Sequence, residues 1–203
     1  PPGLSFIPGF FGCLYAHMIG VPAYPPRNNR NLVRLQATVH DADAHLFLTD
    51  SATLSTSRKL IEALRESNGG EIIASDMCGP ETGEQRLTDL HYDALAILQY
   101  TSGSTSQPKG VMVSHANFMH QLKFINERWS LNEQSAFVSW LPHFHDMGLV
   151  AGVLNPLYGG FPGILMAPTT FLQRPSRWLK AISDYRATAT IAPNFAYDLC
   201  VDK

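Results

Sequence analysis

The sequence predicts an α/β fold, a mostly parallel sheet with helices on both faces, and three observations predict it. Segments with apolar residues at helical spacing alternate with short apolar runs, the pattern of strands joined by helical crossovers. Hydrophobic residues make up 45% of the chain and charged residues only 16%, below the usual ~25% charged, which suits an apolar, sheet-rich interior. A loop dense in hydroxyls and glycine, Thr101 to Gly110, follows directly on one apolar run. In sheets of this kind ligands sit beyond the carboxyl ends of strands.

Ile7, Phe10, Phe11, Leu14 and Met18 fall at spacings of 3, 4, 7 and 11 from Ile7, one face of a helix that Gly20 ends. Residues 21–26 are extended, because each residue before a proline is pushed out of the α region. Residues 32–40 read as a second helix, 46–49 as a buried strand, and 57–67 as a third helix that stops at Asn68-Gly69-Gly70. Residues 71–74 are a strand, and the polar stretch 75–92 is a surface connection. Residues 94–98 and 111–113 are β-prone runs on either side of the loop. Phe118, Leu122, Ile125 and Trp129 then mark an amphipathic helix. A strand over 137–141 ends at Pro142, and residues 149–157 are apolar until Tyr158-Gly159-Gly160 closes them. Residues 164–166 are a strand. Pro175-Ser176 opens a helix expected to bury Trp178, Leu179, Ile182 and Tyr185. A last strand covers 189–192, and a final helix starts near Asn194.

With 203 residues the chain has ample length for a real core. A net charge of −2, with no basic run, gives no reason to expect a nucleic-acid partner. The three cysteines, Cys13, Cys78 and Cys200, form neither a CxxC pair nor a disulfide framework, so a reducing, cytoplasmic setting is expected. No apolar run approaches the ~20 residues of a membrane span. The chain opens Pro1-Pro2 without Met and is expected to be cut from something longer.

The loop itself suits a polyphosphate. Thr101, Ser102, Ser104 and Thr105 set four hydroxyls around Gly103, and Pro108-Lys109-Gly110 closes the stretch. Backbone N–H groups close on phosphate oxygens where a glycine removes the Cβ, hydroxyls add donors, and the ammonium adds a point charge. It is not a Walker-type P-loop, since neither Ser nor Thr directly follows Lys109 and a β-run comes next instead of a helix. An ordinary Ser/Gly-rich connection between strands is the competing reading.

The order Thr101-Ser102-Gly103-Ser104-Thr105, then Pro108-Lys109-Gly110, resembles the phosphate-loop signature of the adenylate-forming superfamily of acyl-CoA synthetases, adenylation domains and luciferases. Three more stretches resemble one branch, the fatty acyl-AMP ligases. They are Phe11-Gly12-Cys13-Leu14-Tyr15-Ala16 with Ala23-Tyr24-Pro25-Pro26, then Trp140-Leu141-Pro142-His143-Phe144-His145-Asp146-Met147-Gly148-Leu149, and Phe171-Leu172-Gln173-Arg174-Pro175 running on to Ala192-Pro193-Asn194-Phe195. Ser106 departs from the commonest form of the loop, where Gly is usual.

The resemblance implies the N-terminal part of such a ligase, with residues 1–92 a first α/β portion of its adenylation domain and 93–203 the phosphate-loop portion. It implies activation of a fatty acid with ATP to fatty acyl-AMP and pyrophosphate, then transfer to the phosphopantetheine thiol of an acyl carrier protein in a polyketide or peptide synthase. By the same resemblance Thr101, Ser102, Gly103, Ser104, Thr105, Lys109 and Gly110 hold the β- and γ-phosphates, and His145 lies beside the acyl-phosphate centre. Magnesium ligands, the adenine segment and the C-terminal domain are expected after residue 203, so these residues alone are expected not to complete adenylation. A coenzyme A-forming ligase and a non-catalytic module that keeps the loop as scaffold are the alternatives. His145 also admits a plain structural role, bonded to Asp146 at a strand end. His143, His145 and Asp146 lie within four residues of one another without a second ligand cluster, so no metal is expected there. His115 begins a helix. Residues 148–163 either line an acyl tunnel or pack as ordinary core.

Overall fold

The computed structural model describes residues 3–26, 29–79, 90–101 and 108–202. The chain divides into two compact units, Gly3–Ala116 and Asn117–Lys203.

The first unit opens with helix α1, Phe6–Tyr15, which buries Phe10 and stacks Phe6 on it at 5.9 Å. The chain leaves the helix through His17 in the left-handed region, φ 56. Gly20 then bridges Ile97 in parallel, exchanging bonds with Ala96 O and Leu98 N, both 2.9 Å. Helix α2, Asn29–Asp41, comes next, followed by strand β1, Leu46–Thr49, helix α3, Ser51–Thr56, helix α4, Arg58–Asn68, and strand β2, Glu71–Ala74. The expected glycine stop holds, with Gly69 capping α4 at φ 65, where a missing Cβ removes the penalty. β1 and β2 pair in parallel from Leu46↔Glu71 to Thr49↔Ala74. A parallel pair needs a long crossover, and α3 and α4 supply it.

Strand β3, Leu95–Thr101, and strand β4, Lys109–Ser114, form a hairpin. Their pairing is antiparallel, with Thr101 opposite Lys109 and Tyr100 opposite Gly110.

The second unit is built on a parallel sheet. Helix α5, His115–Trp129, leads in, so His115 is indeed a helix start. Strand β5, Phe137–Ser139, helix α6, Asp146–Leu149, a π-helical turn, Val150–Leu154, and helix α7, Asn155–Gly159, follow. Strand β6, Gly163–Leu165, helix α8, Pro168–Gln173, helix α9, Ser176–Asp184, strand β7, Ala189–Thr190, and helix α10, Asn194–Asp202, complete it. The order is β6-β5-β7, all parallel.

Side chains of β5 alternate across this sheet, as the period of two requires. Phe137 packs with Ala151 and Phe161, while Val138 packs with Trp140, Leu141, Phe171, Trp178, Ala181 and Ala196. Both faces are therefore covered. Trp140 stacks on Phe171 at 4.0 Å, and Trp178 meets both edge-on. Thr190 Oγ1 accepts from Trp178 Nε1 at 3.1 Å and donates to Val138 O at 2.7 Å, which ties α9 to β7 and β5. The buried stripe of α9 differs from the one its spacing predicts. Trp178 and Ala181 are buried, whereas Leu179 is 47% and Tyr185 59% exposed.

Candidate functional site

The hairpin of β3 and β4 delivers the phosphate-loop candidate. Thr101 and Lys109 face each other as its last pair, both exposed. Among the described residues no side-chain hydrogen bond or ion pair of Lys109 is found, and its side chain is exposed. Ser102, Gly103, Ser104 and Thr105, with Ser106, lie outside the described residues.

Gly110 has a clear structural reason to be glycine. A Cβ there would come within 3.0 Å of Tyr100 Cζ and 3.2 Å of its Oη, so the Tyr100 ring lies directly over it. The phenol then reaches α2, where Oη donates to Asp41 Oδ2 at 2.5 Å. Burial pushes the Tyr100 hydroxyl up to about 12, assisted by the hydrogen bond to Asp41 and by its negative charge. Arg34, seven residues before Asp41 on the same helix, extends Nη2 to Thr101 O at 3.5 Å. Neither Arg34 nor Asp41 is singled out by the sequence. Their spacing of seven places both on one face of α2, but the helix read from the sequence stopped at residue 40, one short of Asp41.

His145 belongs to the second unit. It is the N-cap of α6 with extended backbone, φ −96 and ψ 142, and its own N–H donates to Pro142 O at 3.1 Å. Nδ1 is paired with Asp146 Oδ1 at 2.5 Å, and that same oxygen accepts from Met147 N at 2.6 Å. The structural role raised for His145 is therefore present in the geometry. The imidazole is still 63% exposed, and Nε2 bonds to no described residue.

Residues 148–163 resolve towards packing at their glycines. A Cβ at Gly148 would lie 2.1 Å from Pro142 O, and one at Gly152 would lie 2.9 Å from Ser139 Oγ. These two glycines let the helical run press directly on the turn that carries His145 and on the end of β5. Ser139 Oγ, buried there, accepts from Leu141 N at 3.2 Å. At Gly159 the space is taken by the Phe161 ring. The π-turn, closed by Asn155 N–H on Val150 O five residues back, sits within this run.

Burial raises the thiols of Cys13 and Cys200, which keeps both protonated and disfavours them as nucleophiles. The first unit also contains an apolar cleft of about 580 Å³ lined by Phe10, Cys13, Val21, Leu46, Ile61 and Leu98 among others, with none of the candidate site residues in its wall. Among the described residues no group of three His, Cys, Asp or Glu side chains is gathered to hold a metal ion.

Among the described residues, an exposed lysine thus stands where strand β4 begins, opposite Thr101, in an α/β frame. The match to the AMP-binding enzyme model covers residues 1–203, and the chain belongs to that family. It is 45% identical over 206 residues to the medium-chain-fatty-acid–[acyl-carrier-protein] ligase JamA of Moorena producens, covering 99% of this chain and 35% of the ligase. The crystal structure of a fatty acid AMP ligase from Legionella pneumophila superposes with a TM-score of 0.87 at 39% identity, covering all of this chain and 35% of that one. A fatty acyl-adenylate ligase structure from the same organism, in complex with acyl adenylate and pyrophosphate, gives 0.86 at 39% identity, with the same coverage. The chain thus spans about a third of the length of the relatives it matches.

Proposed function

We propose that this chain is the phosphate-loop portion of a ligase that activates a fatty acid with ATP, forming fatty acyl-AMP and pyrophosphate. The observation that carries the reading is the exposed Lys109 set opposite Thr101 across the hairpin, within the AMP-binding enzyme family. The fatty acid carboxylate attacks the α-phosphorus, and the bond to the pyrophosphate oxygen breaks. Such a transfer needs positioning and stabilisation of charge on the leaving group more than covalent help. Lys109 supplies that charge, and Thr101, Ser102, Gly103, Ser104, Thr105 and Gly110 form the cradle around the β- and γ-phosphates. His145, held by Asp146, offers Nε2 to the carboxylate as it enters. The donors around Lys109 suit the phosphates of ATP. No acidic cluster among the described residues suits magnesium, so no step is assigned to it.

The acceptor is the phosphopantetheine thiol of an acyl carrier protein, a reading supported by the name of the Moorena relative. Residues 1–92 and 93–203 are, on this reading, successive parts of one adenylation domain, working in the cytoplasm. No described helix is long and apolar enough to cross a membrane.

Fatty-acid-dependent ATP–pyrophosphate exchange by the full-length protein tests the reading. Lys109→Ala is expected to lower the exchange rate by about 10²-fold, the scale of removing one charge-stabilising donor. Full exchange in that variant would remove the loop from the centre of the chemistry.

A further inference from the structure

We propose that Tyr100 is the positioning residue of the phosphate loop, locking both strands of the hairpin stem to α2 so that the loop departs and returns at fixed points. This rests on the reading of the hairpin as a nucleotide-phosphate site.

The lock has three parts. Tyr100 and Gly110 are partners across the hairpin, and the ring of the one fills the space that the other leaves. The phenol continues past the hairpin to Asp41, the last residue of α2, with a bond of 2.5 Å to a charged acceptor. Bonds to ionised groups are the short, strong ones. From the same helix Arg34 reaches the carbonyl of Thr101, the final described residue before the loop. One side chain therefore touches the outgoing strand, the returning strand and the helix.

The helix is a suitable anchor and the hairpin needs one. α2 buries Thr38 and Val39 and is tied to α4 by Gln36 Nε2 donating to Ala63 O at 3.4 Å. β4, by contrast, has Val111 50% and Met112 65% exposed, so little apolar packing fixes its position. A phosphate cradle made of backbone N–H groups works only within about 0.5 Å of its productive geometry. A tether at the stem sets that geometry while contributing little to global stability, because Asp41 is exposed. The predicted signature is selective. Loss of the tether weakens ATP and leaves both the fatty acid and the folding transition unaffected.

The test uses the full-length protein and the exchange assay, with Tyr100→Phe, Asp41→Leu, Asp41→Asn, the double variant Tyr100→Phe/Asp41→Leu, and Lys109→Ala as reference. Tyr100→Phe and Asp41→Leu are each expected to raise the KM for ATP roughly 3- to 10-fold, a charged hydrogen bond discounted for exposure. The KM for fatty acid and the melting temperature stay at the wild-type values. Asp41→Asn, whose amide oxygen still accepts but without the charge, gives a KM for ATP between the wild type and Asp41→Leu, and the double variant is no worse than either single one. An unchanged KM for ATP in Tyr100→Phe would overturn the proposal, as would equal rises for both substrates. So would an Asp41→Asn variant as impaired as Asp41→Leu. If Lys109→Ala loses exchange while Tyr100→Phe is neutral, only the positioning role fails. If the wild type shows no exchange or Lys109→Ala retains all of it, the functional reading fails and takes this one with it.

Discussion

At the scale of single residues, carboxylates placed on backbone N–H groups carry much of the local order in the first unit. Asp50 caps α3, its Oδ1 accepting from Thr53 N at 2.7 Å while Oδ2 accepts from Ser5 Oγ at 3.3 Å. Asp76, just beyond β2, takes the N–H and hydroxyl of Ser51 at 2.8 and 2.6 Å. Burial pulls the Asp50 carboxyl up, but the bonds from Thr53 and Ser5 outweigh it and hold the group below its ordinary value of 3.8. A lowered folded-state value means that the contribution to stability is whole above about that pH. It is lost as pH falls through the lower folded value. Asp50→Ala is expected to cost the helix about 1 kcal/mol, the usual worth of an N-cap. Amide exchange over residues 51–56 should then quicken by about 5-fold at neutral pH. As pH falls through the lowered folded-state value the wild type and the variant should converge, and an undiminished gap at the acid end would mean that the cap does not act through the ionised carboxylate. Asp50 was legible in hindsight as a helix-start residue before Ser51, yet α3 has only six residues, too few for periodicity to reveal it.

Elements with strong apolar contrast were readable and those defined by close approach were not. β1 and β2 lie where their β-prone runs predict, because a short apolar run between polar segments has few other ways to be buried. The directions of pairing were less legible. β3 and β4 are close enough in sequence to return as a hairpin, and nothing in their composition distinguishes that from the parallel rule of the other sheets. On α9 the spacing identified a stripe but not its width. The sheet comes close enough that the small Ala181 is buried there while Leu179 is turned outward. The run from 148 to 160 misleads most, since small residues read equally as empty space and as contact. At Gly148 the space is already occupied by the carbonyl of Pro142. Gly148→Ala is expected to cost at least ~2 kcal/mol, because backbone and not a flexible side chain has to yield. Since Pro142 O also receives the His145 N–H, the same variant should lower kcat for exchange. Wild-type kcat in Gly148→Ala would indicate that the turn relaxes without moving His145.

Across the whole molecule, the candidate residues are divided between two units, with Lys109 in one and His145 in the other. Each unit has its own buried centre. In the second, Trp178 is 1% exposed and touches Trp140, Phe171 and Tyr197. Truncations of this kind cost about 3–5 kcal/mol, a large share of the 5–15 typical of a domain. Trp178→Ala should therefore raise amide exchange throughout 137–202 and leave the β1–β2 pair at 46–74 protected. Equal loss of protection in both regions would mean that the two units unfold as one. The fold class was legible at this scale because alternation and composition are averages over many residues. The candidate site was legible only as a loop sequence, because Arg34 and Asp41, which bond to Thr101 and Tyr100 beside it, are some sixty positions earlier in the chain.

The pairing of Tyr100 with Gly110 also works as an error check on alignment. Neighbouring residues of a strand point to opposite faces, so a shift of β4 by one position would turn the Lys109 ammonium to the other side of the hairpin. Either direction of shift would bring Lys109 or Val111 beneath the tyrosine ring, and both carry a Cβ that the ring has no room for. Misaligned hairpins are thereby rejected by collision within the stem itself. The stem, and not the loop sequence, thus keeps count of where the lysine stands.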